Sequence, residues 1–353
     1  MERRVSKVIQ IGKVRVGGDN PVAIQSMAKA KTSDLRRAIA QIRNLEAAGC
    51  EIIRVAVKDI EDARAISRIK HEIPIPLVAD IHFDHRLALA AIAAGADKIR
   101  LNPGNIYKPG QVRQVVDSAR DKGIPIRVGL NSGSVRGSGD PVDLMVRAAL
   151  AYVRQLERYK FTNLVLSLKA NDAQGTVRAY RKIAKLCDYP LHLGVTATGL
   201  PFEGMIKSCV ALGALLIDGI GDTIRISLTD KPEEEVRVAK ALLSSLGLRN
   251  FGPSIISCPT CGRCEVDLVS IVRDLEKKLT ASIGKGRPGK PLTVAVMGCV
   301  VNGPGEARHA DIGIAFGRSK GLLFKKGKPV RKVSAADCTD ALMREIRSLQ
   351  RSS

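Results

Sequence analysis

The sequence predicts an α/β protein, a (β/α)8 TIM barrel followed by a small α+β domain. Two observations carry that reading. From about residue 20 to residue 249, short β-rich runs alternate with amphipathic helical stretches, eight pairs in all, which suits a closed parallel barrel. Beyond Phe251-Gly252-Pro253 the alternation breaks, and cysteines and glycines gather on two short turns. The expected domains are residues 1–249 and 250–353.

Barrel strands are expected at Val22–Met27, Glu51–Val57, Pro76–His82, Lys98–Asn102, Pro125–Asn131, Asn163–Lys169, Pro190–Thr196 and Asp222–Ser227. A helical pattern follows each. Thr32-Ser33-Asp34 offers an N-cap to the first helix, and Gly49 stands where a left-handed terminal glycine belongs. Ala94-Gly95-Ala96 and Lys122-Gly123-Ile124 repeat that stop signal. An open dinucleotide-binding sheet is disfavoured, because no Gly-x-Gly-x-x-Gly follows the first strand. In the second region Ser254–Ser257 reads as a strand entering the cysteine turn. Glu265–Leu279 reads as a helix, the stretch 284–290 as a basic glycine-rich loop, and Leu292–Val296 as a second strand. Ile312–Phe316, a hairpin about Lys326-Gly327-Lys328 and a helix from Ala335 to Leu349 complete the domain.

At 353 residues and 45% hydrophobic content the chain can bury a sizeable core. Aromatic residues make up 3%, so aliphatic side chains must build it. Lys and Arg outnumber Asp and Glu by 57 to 35, and the net charge of +22 suits an anionic partner. Aromatic residues are rarely interleaved with the basic ones, which argues against a nucleic-acid binder. No run of about 18 apolar residues offers a membrane span, and the charged N-terminus leads into no signal-type apolar segment. Eight cysteines without such a signal point to reduced thiols and a cytoplasmic protein. Cys50, Cys187, Cys209 and Cys338 are scattered as small core residues are.

Two constellations carry chemistry. Gly49-Cys-Glu-Ile-Ile-Arg54, Gly95-Ala-Asp-Lys-Ile-Arg100 and Gly123-Ile-Pro-Ile-Arg127 each set an arginine four or five residues after a helix-ending glycine. Gly221-Asp-Thr-Ile-Arg225 repeats the placement. A guanidinium within an apolar strand needs a carboxylate or an anion to meet it. Four on different strands of one barrel imply a shared partner. The second constellation is Cys258-Pro-Thr-Cys261-Gly-Arg-Cys264 with Gly298-Cys299. Its spacing fits a structural zinc on Cys258, Cys261, Cys264 and Cys299, an iron–sulfur cluster on three or four of them, or a redox disulfide between Cys258 and Cys261.

These residues resemble the bacterial 4-hydroxy-3-methylbut-2-en-1-yl diphosphate synthase family of the non-mevalonate isoprenoid pathway, in its short two-domain form. The resemblance covers nearly the whole chain. It rests on Gln25-Ser26-Met27, Ile53-Arg54-Val55, Ala79-Asp80-Ile81-His82, Ile99–Asn105 and Ile126–Ser134. It continues through His192-Leu193-Gly194, Gly219–Arg225, Cys258-Pro-Thr-Cys261 and Gly298–Glu306.

The resemblance implies an iron–sulfur domain behind the barrel, with a 4Fe-4S cluster held by Cys258, Cys261, Cys299 and Glu306. Glu306 is then an exchangeable ligand with a catalytic role, and Cys264 a bystander. The implied reaction opens and dehydrates 2-C-methyl-D-erythritol 2,4-cyclodiphosphate reductively, giving (E)-4-hydroxy-3-methylbut-2-enyl diphosphate. Reduced flavodoxin or ferredoxin supplies the electron pair. The family also implies a homodimer, each cluster domain closing over the partner's barrel. Arg54, Arg100, Arg127, Lys169 and Arg225 are the candidate phosphate ligands, with Asn131 and Ser227 as hydrogen-bonding partners and Asp80, His82 and His192 as pocket candidates.

One departure stands out. Many members carry Thr-Glu-Ala-Gly where this chain reads Thr196-Ala197-Thr198-Gly199. The carboxylate of that motif is missing, and Glu203 is the candidate replacement. A related reductase on another phosphorylated substrate and a zinc-bearing barrel enzyme are the competing readings.

Overall fold

A computed structural model describes residues 2–135, 137–196, 198–282, 292–300, 305, 307–318 and 320–351. Glu306, Ala197 and the basic loop 284–290 lie outside the described residues. The chain forms two compact units, Met1–Arg249 and Asn250–Ser353.

The first unit opens with a hairpin that the sequence reading did not anticipate, β1 (Ile9–Ile11) and β2 (Val14–Val16). Eight parallel strands follow, each leading into a helix. They are β3 (Ala23–Met27), α1 (Leu35–Ala48), β4 (Ile52–Val57), α2 (Ile60–Glu72), β5 (Leu77–Ile81), α3 (His85–Ala93), β6 (Lys98–Leu101) and α4 (Pro109–Asp121). Then come β7 (Ile126–Asn131), α5 (Pro141–Arg158), β8 (Leu164–Lys169), α6 (Ala173–Ala184), β9 (His192–Leu193), α7 (Pro201–Ile217), β10 (Thr223–Ile224) and α8 (Pro232–Ser245).

Sequence explains most of these boundaries. Asp34 caps α1 by accepting from Arg37 N, and Gly49 ends the helix at φ +105°, where a side chain is strained. Asp59, Asp140 and Asp172 cap α2, α5 and α6 in the same way. The strands are buried on both faces because helices cover the outside and the barrel closes the inside.

The sheet runs β8-β7-β6-β5-β4-β3-β10-β9, and a parallel bridge between Leu166 and Leu191 joins its two ends. β9 and β10 pair over two residues each, much less than Pro190–Thr196 and Asp222–Ser227 led us to expect. Side chains take over the missing ladder bonds. The Tyr180 hydroxyl accepts from Leu168 N at 3.2 Å and donates to the His192 carbonyl, bridging β8 and β9. Asp222 accepts from Leu191 N at 2.8 Å. The N-terminal hairpin plugs one end, where Ile9, Ile11 and Val16 pack on Ala23, Ile52, Val78 and Val165. That packing covers the amino ends of the strands and leaves their carboxyl ends, the face on which barrel enzymes carry their sites.

The second unit is a five-stranded sheet, β11 (Ser254–Ser257), β12 (Thr293–Met297), β13 (Ile312–Gly317), β14 (Lys320–Lys325) and β15 (Lys328–Ser334), ordered as numbered. The first three strands are parallel and the last two antiparallel. Helices α9 (Leu268–Ser282) and α10 (Cys338–Arg351) pack on it. Leu275, Val294, Val296, Ile314, Phe316 and Leu342 form the core between helices and sheet. The alternate residues Ala295, Met297, Ala315 and Phe324 build a smaller cluster on the other face, as the two-residue period of a strand requires.

Candidate functional site

Inward positions of the barrel bring together most of the residues singled out from sequence. Arg54 on β4, Asp80 on β5, Arg100 on β6, Arg127 on β7, Lys169 on β8 and His192 on β9 are all buried. Arg225, just past β10, is half-buried, and Arg54 and Lys169 both feel its charge. Two residues missed from sequence join this group, Lys98 inside the barrel and Glu235 on α8 where it packs against β3. Both were signalled. Lys98 precedes Arg100 by two on one strand and so shares its face. Glu235 lies on the buried stripe of α8 with Val238, Ala239 and Leu242.

Among the described residues the charges of this group do not balance. Six basic groups, Arg54, Lys98, Arg100, Arg127, Lys169 and Arg225, meet two buried carboxylates, Asp80 and Glu235. Asp80 is shared between Arg100 Nη1 at 3.2 Å and Arg54 Nε at 3.6 Å. Glu235 sits 3.4 Å from both Arg225 and Lys29, and accepts from Ser26 Oγ at 3.1 Å. Among the described residues Arg127 Nε and Nη2, Lys98 Nζ, Arg100 Nε, Arg225 Nε and His192 Nε2 have no hydrogen-bond partner. Unanswered polar groups at this density are uncommon in a folded interior, and the guanidinium and amine donors among them mark a site that takes an anion.

Electrostatics follow from this crowding. Burial pushes the Asp80 carboxyl up, but Arg54, Arg100 and Arg127 together outweigh it and hold it at about 2. Burial lowers Arg54 to about 10, Asp80 partly opposing, so it stays charged at neutral pH. The Lys169 amine is pushed well down, first by burial and then by Arg54 and Arg127. His192 is held neutral by burial and nearby cations, with Nδ1 2.8 Å from Thr223 Oγ1.

Two glycines make the cations fit. A Cβ at Gly129 would stand 2.7 Å from Arg100 Nε, and one at Gly194 would stand 2.7 Å from Lys169 Nζ. Arg100 also donates through Nη2 to the Gly129 carbonyl at 2.9 Å.

The remaining candidates lie at the rim. Asn131 ends β7, half-buried, its backbone N–H donating to Ser134 Oγ. Ser227 Oγ accepts from Arg225 Nη1 at 2.8 Å, and its carbonyl accepts from the Thr198 hydroxyl. His82 is 48% exposed, with Nε2 3.8 Å from Asp80. Glu203 is exposed on the first turn of α7.

In the second unit the cysteine turns leave the same edge of the sheet. Ser257 pairs with Val296 on adjacent parallel strands, so Cys258 and Cys299 follow neighbouring carboxyl ends. Glu265 N donates to the Gly298 carbonyl at 2.9 Å and ties the two turns together. Gly298 N donates to Cys258 Sγ at 3.3 Å. Hydrogen bonds from the Arg263 backbone and side chain lower the Cys261 thiol, and Arg263 also feels the charge of Cys299. Thr260, between the first two thiols, holds φ +49°, which is strained for a β-branched residue. Cys264 instead packs on Gly298, where a Cβ would stand 2.4 Å from its Sγ, and lies 3.2 Å from the Val266 carbonyl. Among the described residues no three His, Cys, Asp or Glu side chains converge as ligands of one ion. Elsewhere Cys50 and Cys338 are buried, whereas Cys187 and Cys209 are half-buried and less enclosed than core residues.

Together these features define an anion-binding (β/α)8 barrel protein with an appended cysteine-bearing α+β unit. The GcpE TIM-barrel domain profile matches residues 6–240, and that of the GcpE protein C-terminal domain matches residues 254–348. The chain belongs to the GcpE family. It is 52% identical over 351 residues to a protein of Caldicellulosiruptor saccharolyticus, covering 98% of this chain and 99% of the relative. It is 48% identical over 352 residues to one of Fusobacterium nucleatum, covering 98% of each. Both relatives are named 4-hydroxy-3-methylbut-2-en-1-yl diphosphate synthase (flavodoxin). Among solved structures, dihydropteroate synthase of Yersinia pestis is similar at a TM-score of 0.51 and 14% identity, over 68% of this chain and 98% of that one. The Xanthomonas albilineans enzyme gives 0.52 and 14%, over 69% and 98%. At that identity the likeness speaks for the barrel fold alone. No helix among the described residues is long and apolar enough to cross a membrane.

Proposed function

We propose that this chain is a cytoplasmic oxidoreductase of non-mevalonate isoprenoid biosynthesis that acts on 2-C-methyl-D-erythritol 2,4-cyclodiphosphate. It opens the ring reductively, with dehydration, to (E)-4-hydroxy-3-methylbut-2-enyl diphosphate. The observation that carries the reading is the surplus of buried basic groups over Asp80 and Glu235 inside one barrel. A compact cyclic diphosphate supplies the missing negative charge, and guanidinium forks match its oxygens in pairs.

In this reading Arg54, Arg100, Arg127, Lys169 and Arg225 hold the two phosphates, while Asn131 and Ser227 fix the ring from the rim. Asp80 orients Arg54 and Arg100 and keeps both forks aimed inward. His192, neutral and held by Thr223, lends polarity without adding charge. His82 stands at the exposed side of Asp80. The sealed lower end keeps water from entering behind the substrate.

The donor set of the second unit fits an iron–sulfur cluster. Three soft thiols stand on two tied turns, and Arg263 favours the thiolate of Cys261. Cys258, Cys261, Cys299 and Glu306 would hold a 4Fe-4S cluster. When bound it supplies the reducing electrons, delivered by reduced flavodoxin, the donor named for the relatives, or by ferredoxin. A homodimer in which each cysteine unit serves the partner's barrel completes the reading.

The test is an anaerobic turnover assay on cluster-reconstituted protein, given the cyclodiphosphate and a low-potential reductant, with products read by mass spectrometry. Hydroxybutenyl diphosphate is the expected product. A brown, cluster-replete protein that makes none would point to another phosphorylated substrate and to Ala197 as the reason.

A further inference from the structure

Beneath the phosphate-binding side chains lies a residue that the proposed function leaves unused. Lys98 begins β6 and enters the barrel on the same face as Arg100. It is 0% exposed, and its Nζ has no hydrogen-bond partner among the described residues. The charged and titratable groups bearing on it are Arg127 of β7, Arg54 of β4 and His192 of β9. The carboxylate of β5, Asp80, is already divided between Arg54 and Arg100. A buried ammonium in such company is unfavourable. An amine escapes by releasing its proton, whereas a guanidinium keeps its own. Burial first, then Arg127 and Arg54, push the Lys98 amine well below its usual range.

We propose that Lys98 is a proton-linked positioning residue of the anion pocket, neutral in the protein alone and protonated when a diphosphate-class anion enters the barrel. The inference rests on the diphosphate reading above. Negative charge brought over this layer compensates the ammonium for its lost hydration and offsets the repulsion from Arg127 and Arg54, and the ammonium becomes the favoured form. The step is a simple uptake, amine plus solvent proton giving ammonium, with no bond made to the substrate. Its consequence is that one layer avoids a like-charge conflict without ligand and adds a positive charge with it. Affinity should therefore fall as pH rises.

The test is calorimetric titration of the cluster-bearing enzyme without reductant. The cyclodiphosphate and, separately, inorganic pyrophosphate are bound in two buffers of unlike ionisation enthalpy at one pH. The wild type should take up protons on binding, and Lys98→Met should take up about one fewer per anion bound. Its Kd should also rise less steeply with pH. If Lys98→Met does not fold, Lys98→Gln carries the same comparison. Uptake equal in variant and wild type, or absent in the wild type, would overturn the proposal. A purely structural lysine would change stability and leave the proton count alone. Binding of pyrophosphate without binding of the cyclodiphosphate would sink the substrate reading, and the linkage would then be judged on pyrophosphate.

Discussion

Inside the barrel, the positions above the hairpin plug carry Gln25, Arg54, Asp80, Lys98, Arg127 and His192. In the second unit the corresponding inward positions carry Val294, Val296, Ile312, Ile314 and Phe316. The first interior is built around a partner that the protein does not itself contain. The second, among the described residues, is apolar, with its thiols on turns at the strand ends and Cys258 packed against the core. The contrast separates two ways of making a site. Strands hold cations rigidly where an anion must be recognised in register, whereas turns present thiols at a sheet edge to a centre that several ligands must reach. A barrel of this kind should gain stability from its ligand, because binding removes repulsion stored in the fold.

The largest expected effect lies on the cysteine edge. Cys299→Ser should lose both iron and turnover, by more than about 100-fold, the upper end of what outer-sphere changes cost a metal site. Glu306→Ala should keep much of the cluster and still lose turnover. Iron and sulfide analysis beside the turnover assay checks both, and normal turnover by the Glu306 variant would end the idea of an exchangeable ligand.

Next comes the barrel. On the proposed function, Arg100→Met removes a phosphate fork, and with it the 3.2 Å ion pair to Asp80. Truncating one partner of a buried charge pair costs about 2–5 kcal/mol of binding. Calorimetry with the cyclodiphosphate should show that loss while the iron content stays constant. Unchanged affinity would break the comparison, since the barrel cations would then be structural.

Acid should weaken the barrel through Asp80, whose carboxyl is held at about 2 against an ordinary 3.8. A depressed carboxyl contributes stability that is full above its ordinary value and lost as the pH falls through its folded value. The contribution is on the order of 2 kcal/mol. Unfolding of Asp80→Asn compared with wild type should therefore converge as the pH falls from 4 toward 2, by about those bounds. A constant gap across that range would mean that Asp80 acts by shape alone.

The smallest effect is expected at Cys264. Cys264→Ala should cost about 1 kcal/mol and leave iron content unchanged. Gly298→Ala should cost more, because its new Cβ would stand 2.4 Å from Cys264 Sγ. Adding Cys264→Ala should recover part of that loss, read as a non-additive double-mutant cycle in urea. Loss of iron in Cys264→Ala would move this thiol into the ligand set.

Much of the barrel was legible because strand and helix periods differ and aspartate caps and terminal glycines punctuate them. β4, β7 and β8 fall within a residue of their expected ends. β9 and β10 are shorter than their sequence pattern, because nothing local says that a tyrosine hydroxyl and an aspartate will replace ladder bonds across the seam. The hairpin Ile9–Val16 is not legible in the sequence for a similar reason. Its short alternation has meaning only once Ala23, Ile52, Val78 and Val165 are there to receive it.

The sequence by itself determined the fold class, the arginines in apolar strands and the thiol spacing, because periodicity and charge placement are local properties. Only the tertiary structure decided that Lys98 and Glu235 join the arginines, that Cys264 turns back onto Gly298, and that six basic groups meet two carboxylates. Those are sums over strands distant in the chain. A buried charge is made tolerable or costly by neighbours that only folding brings within reach.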